Sequence, residues 1–268
     1  MKKKRGVWNP LTAYSVTKQK WGILCMIVLC MGLLTACGRQ EPPEPAILTC
    51  HYSEPDLLAS AEQIHIEPPM PVVENPIDFE AWWEQDPNVY AYIEVPNTRI
   101  SYPILQSDDT QPEDYYLEHN LDGSYGYPGC IYSQRFNSRD LEDYNTILYG
   151  HNMNNGTGFH DLHKFRDADF FEENRDIYIY TPDMVYTYKV IAAYIYTNDH
   201  LMYQYDFETE EGYQEYLDML KEYPSGNFDE DVQTLTTEDR LLTLSTCTND
   251  DRTRLLVQAK LVERAVAE

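Results

Sequence analysis

Two runs near the C-terminus, residues 241–246 and 254–262, alternate side chains with a period of two. That is the period of a strand with two unlike faces, and no helix can present it as one face. In the first run Leu242 and Leu244 point one way, and Thr243, Ser245 and Cys247 point the other. In the second, Leu255, Val257, Ala259 and Leu261 share a face opposite Arg254, Leu256, Gln258 and Lys260. Residues 248–253 between them are polar and rich in turn formers, so the two runs are expected to form an antiparallel hairpin. Such a hairpin sets Arg254 nearly opposite Cys247, with Arg252 as the competing arginine inside the loop. Cys247 then ends its strand on the polar face, along with Thr243 and Ser245. A structural cysteine usually behaves as a small hydrophobe and would join the leucines.

Further strands are expected at 89–95, 99–105, 129–133, 145–150, 176–181 and 185–197, and the 23 tyrosines favour the same β-rich outcome. Residues 153–174 contain short helical pieces. Tyr213, Tyr216, Leu217 and Leu220 recur at helical spacing, which predicts a helix over 208–222, beginning after Asp206 and stopping before Pro224. Phe79, Trp82 and Trp83 suggest a helical turn packed on the domain. About eight strands, with one helix between late strands, indicate a mainly β fold, a small barrel rather than a βαβ layout.

The N-terminus reads as an export signal. Six basic residues and no acid occupy the first 37 positions, and an apolar run over 21–36 follows the basic stretch. Sixteen residues are short for a membrane span, which needs about 20. The run ends Leu34-Thr35-Ala36-Cys37, which resembles a lipobox cleaved before a cysteine that then carries lipid. An uncleaved signal anchor is the other reading. Either places the body outside the cytoplasm, held at the membrane by its N-terminus. Three segments are therefore expected: 1–36 as signal or anchor, 37–78 as a Pro/Glu-rich stalk with a short helix over 55–63, and 79–268 as the folded domain.

The formal charge of −25 argues against nucleic-acid binding, since an acidic body repels phosphate backbones. Of six cysteines, Cys50, Cys130 and Cys247 lie beyond the signal. An odd number outside the cell is not a disulfide framework and leaves a free thiol.

A nucleophilic thiol needs a base or cation beside it, because at its ordinary pKa it is only a few per cent thiolate near neutrality. Among seven histidines, His151 is best placed: it follows the strand ending Leu148-Tyr149-Gly150 and shares a face with Tyr149. His160 and His163 come next in a polar segment. They lack the cysteine or carboxylate pattern of a metal site, so no metal is expected.

The runs Thr243-Leu244-Ser245-Thr246-Cys247 and Thr146-Ile147-Leu148-Tyr149-Gly150-His151-Asn152-Met153, with Arg254 on the following strand, resemble the sortases, cysteine transpeptidases of Gram-positive cell surfaces. The resemblance covers about residues 79–263. The helical insertion at 207–223 and the helical N-terminal extension look like class B. The resemblance implies an eight-stranded β-barrel, with N-terminal helices and a helix inserted before the cysteine strand. It implies Cys247 as nucleophile, His151 as general acid and base, and Arg254 as hydrogen-bond donor to substrate or oxyanion. It also implies a surface protein with a C-terminal sorting signal as one partner, a peptidoglycan precursor amine as the other, and no cofactor. Ser245, Thr246 and Tyr149 are candidates for lining the substrate groove. Ordinary strand or core packing is the alternative for each. Cys130 stands where relatives commonly carry a small hydroxyl residue, and it reads as a buried small side chain rather than a second nucleophile. Two other functions fit parts of the sequence: a cysteine peptidase that only hydrolyses, and a non-catalytic surface lipoprotein.

Overall fold

The computed structural model describes residues 69–268. The expected signal or anchor, the lipidation site Cys37, Cys50 and the short helix over 55–63 lie outside the described residues.

Eight strands form a closed barrel. They are β1 (Val89–Glu94), β2 (Ser101–Leu105), β3 (Ile131–Tyr132), β4 (Asn145–Tyr149), β5 (Asp176–Tyr180), β6 (Met184–Thr197), β7 (Leu241–Cys247) and β8 (Thr253–Ala267). Their order around the sheet is β8-β7-β4-β3-β2-β1-β5-β6, and β6 pairs with β8 to close it. Closure leaves none of the eight as a bare edge. The pairs β2–β3 and β4–β7 are parallel; the other six are antiparallel. Two-residue strands extend the sheet at Val72–Val73, parallel to the end of β8, and at Asn227–Phe228, beside β6. Pairing with the barrel thus begins seven residues before Phe79.

The alternation in β7 and β8 is realised as expected. Leu242, Leu244, Leu255, Val257 and Ala259 enter the barrel core with Ile93, Ile104 and Phe165. The opposite face differs from an open polar groove along its whole length. Helix α4 (Glu210–Glu222), which follows two short helices, α2 (Ala168–Glu173) and α3 (Leu201–Gln204), roofs its first half. Tyr213, Tyr216, Leu217 and Leu220 of α4 are fully buried against Leu241, Ile147 and Leu256. Each such side chain contributes about 2 kcal/mol of burial.

Under that roof Thr243 joins a buried polar cluster. Thr243 Oγ1 donates to Asn145 Oδ1 (2.8 Å), and Tyr216 Oη donates to Gln258 Oε1 (2.7 Å). The strand face is polar there because its groups bond one another, and it opens only from Ser245 onward.

Helix α4 starts at a different cap from the one expected. Thr209 Oγ1 accepts from the Gly212 amide at 3.2 Å, so Thr209 is the N-cap. Asp206 lies a turn earlier and supports the cap through its carbonyl. The strand expected over 129–133 is shorter, because Gly129 and Cys130 belong to the loop. The N-terminal helical turn is present as α1 (Phe79–Trp83), capped by the Asp78 carboxylate, which accepts from Ala81 N–H at 3.0 Å.

Candidate active site

Three chain segments converge at one end of the barrel. The end of β7 supplies Cys247, the start of β8 supplies Arg254, and the residues after β4 supply His151. The register pairs Arg254 directly with Cys247 and, in the parallel pair, Tyr149 with Ser245. All five residues line one cavity of about 280 Å³, together with Thr246, Leu117, Tyr132, His200, Asp114 and Asp199.

His151 is held by main chain. Its Nε2 lies 2.8 Å from the Leu117 carbonyl oxygen, at the end of a short 3₁₀ turn, Tyr115–Leu117. A carbonyl only accepts, so the neutral ring carries its proton on Nε2 and keeps a lone pair on Nδ1. Gly129 makes this possible. A side chain there would come within 2.4 Å of the Leu117 oxygen, and its φ of +66° suits glycine. The exposed ring of Tyr127 packs edge-on against His151, with centroids 4.9 Å apart.

Cys247 is half-buried and free. Arg254 turns its guanidinium toward the carbonyls of Thr253 (2.9 Å) and Asp251 (3.3 Å) and makes no ion pair among the described residues. Arg252, the competing arginine, is exposed and pairs with Asp250 at 2.7 Å within the loop. It is therefore spent on its own turn.

The other expected site residues divide. Ser245 is buried at the cavity wall. Thr246 is also buried, and its Oγ1 donates to Gly150 O at 2.8 Å. Its hydroxyl ties β7 to the His151 segment. Tyr149 packs on Tyr132, and its hydroxyl meets His200 Nε2 at 3.3 Å. Cys130 lies in a second, uncharged cavity that also touches His151. Burial pushes its thiol up to about 12, so it stays protonated near neutrality.

Sequence reasoning missed several contributors. His200 enters the cavity from the β6–β7 connection, and Gln134 Oε1 accepts from its Nε2 at 2.6 Å. Burial lowers its pKa. His163 and Asn152 both reach the Cys247 carbonyl, at 3.0 and 3.1 Å. Asn152 stood in plain view beside His151, and that adjacency was the available signal. His163 carried none, because only the fold brings it to a strand 84 residues away.

A cysteine, a base with a free lone pair and an unpaired guanidinium in one cavity suit acyl transfer through a thioester. Comparison with known proteins gives the same class. Residues 93–262 match the Sortase domain family. Sortase B of Listeria monocytogenes is 32% identical over 180 residues, 66% of this chain and 71% of that protein. The structure of a Staphylococcus aureus sortase B-substrate complex superposes with a TM-score of 0.60 at 28% identity, over 69% of this chain and 84% of the other. A crystal structure of sortase B complexed with triglycine gives 0.59 at 27% identity, over 69% and 85%. Matched over residues 93–262 and over about two thirds of its length by sortase B proteins, the chain belongs to the sortase family, as a class B cysteine transpeptidase.

Proposed function

We propose that Cys247, His151 and Arg254 carry out the transfer, joining a surface protein to a cell-wall amine. The observation that carries this reading is the register that sets Arg254 against Cys247 at the cavity wall shared with His151. The Cys247 thiolate attacks the carbonyl of the threonine in a C-terminal sorting signal. Arg254 donates to the oxyanion that develops, an interaction that supplies about 3 kcal/mol in comparable sites. The threonine C–N bond breaks, and His151, which enters the step as imidazolium after taking the Cys247 thiol proton on Nδ1, gives that proton to the departing amine and is left neutral. The acyl group remains on sulfur as a thioester. An incoming amine then attacks the same carbonyl and passes a proton to His151. The C–S bond breaks, and the thiolate is restored with a new amide bond made.

The partners follow from the relatives. A sortase B structure holds a substrate and another holds triglycine, so a sorting-signal peptide and a peptidoglycan precursor amine are the reactants proposed here. The basic, apolar N-terminus supports a place on the outer face of the cell membrane, through lipidated Cys37 or an uncleaved anchor. Ser245 and Tyr149 border the acyl-donor side of the cavity.

Product analysis tests the reaction. A sorting-signal peptide incubated with triglycine yields the ligated peptide, and omission of triglycine leaves only slow hydrolysis. Equal hydrolysis with and without the amine, and no ligated product, would assign the same residues to a hydrolytic peptidase.

A further inference from the structure

Successive hydrogen bonds stitch the segment bearing His151 to the strand bearing Cys247. Gly150 N–H donates to Ser245 O (3.2 Å), and Thr246 Oγ1 donates to Gly150 O (2.8 Å). Asn152 Nδ2 donates to Cys247 O (3.1 Å). His151 lies between the two stitched residues, Gly150 and Asn152. His163 strengthens the last stitch, with Nε2 at 3.0 Å from the same Cys247 oxygen. That oxygen only accepts, so the neutral His163 ring carries its proton on Nε2. His160 sets the Asn152 amide, because its Nδ1 lies 2.8 Å from Asn152 Oδ1 and so turns Nδ2 to the Cys247 oxygen, where it also lies 3.1 Å from His163 Nε2.

We propose that Asn152 and His163 are positioning residues that act through the main-chain carbonyl of Cys247. They lock the peptide that follows the nucleophile and fix how far the thiol stands from His151. The inference rests on the catalytic reading of Cys247 and His151 above. Cys247 is the last residue of β7, and the polar loop 248–252 begins immediately after it. A terminal carbonyl bonded only to water would leave that peptide free to turn. A misplacement of about 1 Å at a nucleophile can cost a hundredfold in rate. The two donors come from the same post-β4 segment as His151, so one contact sets the thiol and the base in a common frame. Imidazolium donates from both nitrogens. The His163 contact therefore survives protonation, which separates its role from that of an acid–base group.

The test uses the full chain with a sorting-signal peptide, and compares His163→Leu with His163→Gln. Glutamine places its Nε2 as many bonds from Cα as histidine does. The expected result for His163→Leu is a kcat about tenfold lower with KM within about twofold, the loss of one hydrogen bond's worth of alignment. His163→Gln restores most of kcat and leaves both limbs of the pH profile in place. Asn152→Ala, which removes the other donor, gives the parallel comparison if the leucine variant fails to fold. Wild-type kcat in His163→Leu and Asn152→Ala overturns the proposal. So does a His163→Gln variant as slow as His163→Leu at equal Tm, or one whose pH limbs shift. A wild-type chain that acquires acyl at Cys247 while these variants match it sinks the positioning role alone. A wild-type chain never acylated there removes the reading beneath it.

Discussion

At the residue scale, two thiols of the described region separate by environment. Burial holds Cys130 protonated, with its Sγ directed to His119 O, whereas Cys247 opens on the cavity. An alkylating reagent at pH 7.5, followed by peptide mapping, is expected to label Cys247 well before Cys130. Faster labelling of Cys130 would contradict the assignment of the nucleophile. The two arginines separate by partner. Arg254→Ala is expected to lower kcat/KM at least a hundredfold, in line with the loss of an oxyanion donor of about 3 kcal/mol. Arg252→Ala removes a surface pair with Asp250 and should change it less than about twofold. The reverse order would show that Arg252 enters the site when substrate binds. Cys247 and Arg254 were legible because strand alternation and hairpin register are local properties. The Leu117 carbonyl was not, since a main-chain acceptor has no sequence signature.

At the element scale, Asp161 ties the segment that follows β4 to Arg99, just ahead of β2. This buried carboxylate accepts from the Arg99 amide (2.9 Å) and guanidinium (2.8 Å), and Lys164 lies 3.1 Å away. The Arg99 hydrogen bonds hold its pKa well below the usual carboxylate range. The stabilisation is therefore complete above the unfolded pKa, near 4, and fades as pH falls from there toward the depressed folded value. Asp161→Asn is expected to cost about 1–3 kcal/mol at pH 7, with the figure shrinking below pH 4. Denaturant melts at pH 7 and pH 3 check this. An equal cost at both values would contradict it. Arg99 itself is more than half exposed, so solvent screens part of its contribution. The strands were legible in the sequence to within a few residues, because each shows its own period. The roof over Thr243 was not. The amphipathic face of α4 announces burial but not the surface that receives it, and Tyr216 finds Gln258 only through the tertiary fold.

At the scale of the whole molecule, the site exists because the barrel closes. Cys247 ends β7 and His151 follows the end of β4, its parallel neighbour; the two strands lie some hundred residues apart in sequence, and no local pattern reveals their pairing. Family resemblance implied only that Cys247 and His151 act in one site, and the topology accounts for it: the connection between β4 and β7 contains β5, β6 and α4. Since the described residues, 69–268, form one unit with its own core, a chain limited to 65–268 is expected to melt cooperatively and to cleave a sorting-signal peptide at the rate of the 268-residue chain. A collapsed rate with intact folding would place a needed group before residue 65.

The thioester is the central claim, and intact-mass spectrometry addresses it directly. Full-length protein mixed with a sorting-signal peptide, without amine and quenched in acid, is predicted to gain the mass of the peptide up to its threonine. The adduct should map to Cys247, disappear on addition of triglycine, and never form in Cys247→Ala. An adduct on Cys130, or peptide cleavage that persists in Cys247→Ala, would contradict the mechanism.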